Sequence, residues 1–172
     1  MFAPDDLVVY PAQGVGTIER IERKTVGGVA CEFYIVRVRA NNVTLMVPVA
    51  NAATVGLRTL TPADKAAAVL DALRTDCDRA VFTGQNWNRR FREYSERLKS
   101  QDLAVVADVL RELLLIGRSK DLSFGERRLQ EQAMSLVAGE LAQVLALDEA
   151  ALREELLAAY APPPTPGDAG RS

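Results

Sequence analysis

Histidine is absent from the 172 residues, and cysteine occurs only twice, as Cys31 and Cys77. Without histidine there is no Ser-His-Asp or Cys-His nucleophile system, no imidazole general acid–base chemistry and no His-ligated zinc. The two cysteines form neither a CxxC pair nor a disulfide framework, so a reducing compartment is expected. Long hydrophobic runs are also missing. Stretches such as Leu113-Leu114-Leu115-Ile116 fall far short of the roughly 20 apolar residues that span a bilayer. Asp5 and Asp6 follow the first methionine almost at once, which does not fit a basic-then-apolar signal segment. A cytoplasmic protein with no membrane partner is therefore expected. Walker loops, GxGxxG and the nucleophile elbow are lacking too. Gly14-Val15-Gly16 has no strand-to-helix context, so it reads as a tight β turn. No enzyme, no cofactor and no metal site are expected, which leaves binding.

Net charge of either sign is small: 21 Lys+Arg stand against 23 Asp+Glu, a formal total of −2. The local distribution is uneven. From Arg79 to Ser100 six bases (Arg79, Arg89, Arg90, Arg92, Arg97, Lys99) meet only Glu93 and Glu96, a local excess of +4. From Glu140 to Tyr160 the balance is −4. A basic patch on a near-neutral chain can bind phosphate locally. It can equally be a solvated helix face laced by Arg89–Glu93 and Arg92–Glu96 pairs, each four residues apart.

The first 60 residues are rich in Val, Ile and Thr and punctuated by glycine. Strands are expected at Leu7–Tyr10, Val15–Lys24, Phe33–Val38 and Val43–Val47. Val26-Gly27-Gly28 is the first hairpin turn and Asn41-Asn42 the second. The expected fold class is α+β in two domains. Residues 1–60 form a small SH3- or Tudor-like antiparallel β-barrel, and residues 61–160 form an all-α bundle of about five helices. Thr61 caps the first helix, with Pro62 in its first turn. A basic helix follows from about Asn86 to Lys99. Asp102 caps the third helix and Gly117 ends it. Ser123-Phe124-Gly125-Glu126 fits a capping box, and Asp148 caps the last helix. Residues 161–172, with four prolines, are expected to form a disordered tail.

The only tryptophan sits in Asn86-Trp87-Asn88-Arg89-Arg90-Phe91-Arg92. Trp87, Phe91, Tyr94 and Leu98 recur along one helix face, so Trp87 reads first as core. Its place at the helix start permits the other reading. The ring then projects while Phe91, Tyr94 and Leu98 pack, and it wedges against bases with guanidiniums on phosphates.

Four stretches together resemble the CarD/CdnL family of bacterial transcription regulators: Val9-Tyr10-Pro11-Ala12-Gln13-Gly14-Val15-Gly16, Val47-Pro48, Asn86-Trp87-Asn88-Arg89-Arg90-Phe91 and Asp121–Arg128. They occur in order and with similar spacing from about residue 5 to 160. The resemblance implies an N-terminal module, shared with transcription-repair coupling factors, that binds the RNA polymerase β subunit. It implies a helical module on promoter DNA at the upstream edge of the −10 element. Trp87 corresponds to the family's minor-groove wedge, which stabilises the open complex, and Arg89, Arg90 and Arg92 match the basic positions beside it. For the polymerase contact, exposed strand edges offer unpaired backbone groups to a partner's sheet. The hairpin Phe33–Val47 is the candidate edge, with Val36, Met46 and Pro48 on or beside it and Lys24 at the rim. Val36 and Pro48 read equally well as barrel packing. Met46 is apolar where the family commonly has arginine, so no salt bridge is expected there. Phe124 is expected to pack and hold the basic helix in place. A monomer is expected, binding DNA without sequence specificity. The competing reading is a protein–protein adaptor whose Tudor-like module binds a partner while the bundle is purely structural. An SH3-like RNA-binding module is a third, disfavoured by a charge of only +1 over residues 1–60.

Overall fold

The computed structural model describes residues 1–75, 77 and 87–162. Four strands come first: β1 (Leu7–Tyr10), β2 (Gly14–Val26), β3 (Val29–Val38) and β4 (Thr44–Pro48). They form one antiparallel sheet in the order β1-β2-β3-β4. A 3-10 turn follows at Val49–Asn51. Five helices complete the described chain: α1 (Ala63–Thr75), α2 (Trp87–Arg97), α3 (Leu103–Ser119), α4 (Phe124–Leu145) and α5 (Glu149–Ala159). The α+β layout read from the sequence is therefore present. The expected Pro-rich tail lies almost wholly outside the described residues, as do Arg79 and the break at 83–86.

Val8, Ile18, Tyr34, Val36 and Val47 are buried together with Ala52 and Leu57. Phe2 closes this core from outside: its ring meets Tyr34 edge-on at 5.7 Å, and its backbone N–H donates to the Tyr34 hydroxyl at 3.0 Å. Gly27 and Gly28 both have positive φ, 58° and 80°, as the tight turn pairing Val26 with Val29 demands. A bulge between Ile18 and Arg20 shifts the β2–β3 register, which bends the sheet. Beyond β4, Val9 bridges to Arg58.

The helices bury a leucine-rich core with Leu70, Leu110, Leu113, Val137 and Leu141 among its members. Local signals place the helix starts. The Asp102 carboxylate accepts from the Ala104 N–H and that of Asp148 from the Ala151 N–H. Ser123 and Glu126 make the reciprocal capping box. Two expectations fail. Gly117 does not end α3, which continues to Ser119. Leu122 folds back over Gly117 instead. Thr61 does not cap α1, which begins at Ala63; its hydroxyl is turned to Glu140, to which it donates.

That contact joins sheet to bundle. Glu140, buried on α4, accepts from both terminal nitrogens of Arg58 at 2.8 and 2.9 Å. It also accepts from the Thr61 N–H at 2.8 Å and the Thr61 hydroxyl at 2.6 Å. Burial works against the Glu140 charge, but these four donors outweigh it and hold the carboxyl below its ordinary value. Arg39, in the turn just after β3, also bonds Gln143 of α4. Among the described residues no helix is long and apolar enough to cross a membrane.

Candidate functional site

The basic helix α2 divides its residues differently from the sequence pattern. Tyr94 and Leu98 are buried, but Phe91 is 43% exposed, so Phe91 is not the packing residue expected. Arg89 and Arg92 are exposed. Neither forms an ion pair among the described residues, so the Arg89–Glu93 and Arg92–Glu96 pairs do not form. Arg90 is the exception on this helix: it is only 8% exposed. Its guanidinium lies 5.5 Å from the centre of the Trp87 ring. Arg90 is thus withdrawn from the surface on which its phosphate role depends, because the helix turn carrying Trp87 and Tyr94 inward carries it too.

Trp87 is neither sealed in the bundle nor fully projecting. It is half-buried and packs on the rim of the helical core. Its ring meets Phe91 edge-on, 5.7 Å between centroids at 61°. It also rests on the first turn of α4, where a Cβ at Gly125 would stand 3.0 Å from Trp87 Cζ2. Glycine lets the indole approach this backbone. Further along α2, Arg97 bridges to Glu112 of α3 at 3.3 Å and lies over the Tyr94 ring. Burial, with Glu112 nearby, pushes the Tyr94 hydroxyl up to about 12.

The contact at Gly125 brings together residues that the sequence pattern keeps apart. Phe124, expected to pack, is 79% exposed. As the first residue of α4 it has no preceding turn of its own helix to lean on. Arg128 lies 5.9 Å over its ring. Arg127 and Arg128 are exposed and without ion pairs among the described residues. Around Trp87 stand exposed Phe91 and, at the first turn of α4, exposed Phe124 with Arg128 over its ring; α2 itself carries exposed Arg89 and Arg92, whereas Arg127 lines a groove with Arg153 and Leu157 of α5. The available signal was the Phe124–Arg128 spacing, four residues along a helix, at which side chains meet.

On the sheet, β4 pairs with β3 alone among the described strands and so presents an open edge. Met46 is 46% exposed on it, and Pro48 is half-buried at its end. Val36 is fully buried in the sheet core. It therefore offers no side chain to a partner, and its packing reading holds. Lys24 is not gathered with Met46: it pairs with Cys31, four residues along β3 from the Ile35 that faces Met46. Its ammonium lies 3.7 Å from Glu22.

Two family models match the chain. One is described as the CarD-like/TRCF RID domain and covers residues 2–61; the other is the CarD C-terminal domain and covers residues 68–157. The chain is 25% identical over 150 residues to YdeB of Bacillus subtilis (strain 168), named as a candidate transcription factor. That alignment covers 87% of this chain and 95% of the relative. Among solved structures, CdnLNt from Myxococcus xanthus is 39% identical, covering 34% of this chain and 83% of its own, with a TM-score of 0.30.

Proposed function

Because this chain belongs to the CarD-like family of RNA-polymerase-interacting transcription regulators, we propose that it bridges polymerase and promoter. On this reading residues 1–60 bind the polymerase β subunit, and residues 61–160 contact promoter DNA at the upstream edge of the −10 element. The single observation that supports the DNA role is the mixed surface around Trp87. It has a half-buried indole touching exposed Phe91 and the first turn of α4, where Phe124 is 79% exposed under Arg128, and α2 adds exposed Arg89 and Arg92 without carboxylate partners among the described residues.

The physical mechanism is differential affinity. Arginine contacts to phosphate bind closed and open duplex alike and mainly fix position. An aromatic edge inserted at a base step favours only the widened, kinked groove. A ligand shifts an equilibrium by its difference in affinity for the two states and no more. A preference of about 1.4 kcal/mol would raise the open-to-closed ratio about tenfold. On the sheet, the open β4 edge supplies backbone donors and acceptors for strand addition by the polymerase, with Met46 and Pro48 as neighbouring apolar contacts. The Arg58–Glu140 lock keeps that edge and the Trp87 surface in one orientation, so binding at one site raises the effective concentration at the other.

The test is the lifetime of a polymerase–promoter open complex. Trp87→Ala is expected to shorten it several-fold while binding to polymerase alone stays unchanged. An unchanged lifetime with a folded variant would refute the wedge and leave only the tether.

A further inference from the structure

A wedge acts only if its ring is held at a fixed angle, and the structure shows what holds it. Two groups touch the Trp87 ring. One is the Arg90 guanidinium, 5.5 Å from the ring centre. The other is the backbone at Gly125, close enough that a Cβ there would lie 3.0 Å from Cζ2. Arg90 is buried, unlike Arg89 and Arg92, and its Nε and Nη1 have no hydrogen-bond partner among the described residues. Glu126 stands on the same first turn of α4 as Gly125; against its burial, the Ser123 hydrogen bonds, then the Lys120 charge and last the Arg90 charge hold its carboxyl below the ordinary value. Glu126 is 3% exposed. Its Oε1 accepts from the Ser123 N–H at 3.1 Å, closing the capping box, whereas Oε2 is buried and unbonded among the described residues. The other groups around Arg90 and Glu126 are Lys120, 3.9 Å from Glu126 Oε1, and the Tyr94 hydroxyl, which also feels the Arg90 charge.

We propose that Arg90 is a positioning residue for Trp87, not a phosphate contact: its guanidinium and the Gly125 backbone form a clamp that sets the angle of the indole. This rests on the reading of Trp87 as the DNA-contacting ring, but the clamp itself is testable without DNA.

Trp87 is the sole tryptophan, so its fluorescence reports this site alone. Acrylamide is the quencher of choice, because iodide would respond to the loss of a cation by itself. Arg90→Gln is expected to raise the acrylamide quenching constant of the full chain at least about twofold, because the ring loses its supporting group. Arg90→Lys should restore much of the protection, since an ammonium also sits favourably on an indole face. Far-UV circular dichroism verifies that helices persist. Unchanged quenching in a folded Arg90→Gln overturns the clamp. Where Arg90→Gln fails to fold, Arg90→Met takes its place, and unchanged quenching in it does so. Open-complex lifetimes then separate the two ideas. A loosened ring in Arg90→Gln with no effect of Trp87→Ala on lifetime keeps the clamp and removes the wedge. The opposite pattern keeps the wedge and removes the clamp.

Discussion

Glu140 makes the sharpest prediction about how the two halves are held together. Its carboxylate is 3% exposed and takes four hydrogen bonds, all from Arg58 and Thr61. Glu140→Gln keeps the shape and one good acceptor but removes the charge opposite Arg58. Breaking a buried pair by removing one partner costs about 3–5 kcal/mol. Arg58 retains 17% exposure, so water can reach it, and about 3 kcal/mol is the appropriate end of that range. With a urea m-value of about 2 kcal/mol per molar, the unfolding midpoint should fall by about 1.5 M. Arg58→Met should also destabilise. The double variant should cost less than the two singles together, by at least about 1 kcal/mol, because the second substitution removes a charge that is already unpaired. The pH dependence follows from the lowered Glu140 value. A depressed carboxylate stabilises the fold fully above its ordinary value of 4.5. That contribution is lost as pH falls through the folded value. The parent's urea midpoint should therefore drop below pH 4.5 more steeply than that of Glu140→Gln. Additive single and double costs, or equal acid slopes, would show that the lock contributes nothing.

The remaining predictions are read more simply. Arg89→Gln should lower the salt slope of DNA engagement in the polymerase–promoter complex by about 0.9 for each phosphate it no longer neutralises, while buried Arg90→Gln should leave that slope unchanged. Phe124→Ser should leave thermal stability within about 0.5 kcal/mol, since the ring is 79% exposed, yet weaken DNA engagement. Absorbance at 295 nm should show one tyrosine ionising near 12, and Tyr94→Phe should remove that step. Ala146 ends α4 in the left-handed region at φ 54°. Ala146→Gly should therefore raise stability by about 1 kcal/mol in a urea melt.

Features written within a few consecutive residues were legible in the sequence. Asp102, Ser123 with Glu126, and Asp148 act on N–H groups two or three residues away. Gly27-Gly28 supplies both positive φ values of its own turn. Tyr34, Val36 and Val38, on one side of β3, are all buried, as is Ile35 on the other. These outcomes need no distant partner, so the chain determines them by itself. The family match was legible for the same reason, since it rests on short ordered stretches.

The candidate site was legible only in part. Helical spacing put Trp87, Phe91, Tyr94 and Leu98 on one face, but that face is wider than the core it meets. How far α2 is rolled against α3 and α4 decided that Phe91 stays out and Arg90 goes in. Phe124 was misread because hydrophobicity says nothing about whether a first-turn residue finds neighbours. Thr61 and Gly117 each had a plausible local role, and each was overridden by a contact from elsewhere, Glu140 in one case and Leu122 in the other. The Arg58–Glu140 pair joins residues 82 apart in sequence. No periodicity links such positions. Burial, charge neutralisation and orientation depend on which surfaces meet, and that is settled only when sheet and bundle have closed on each other.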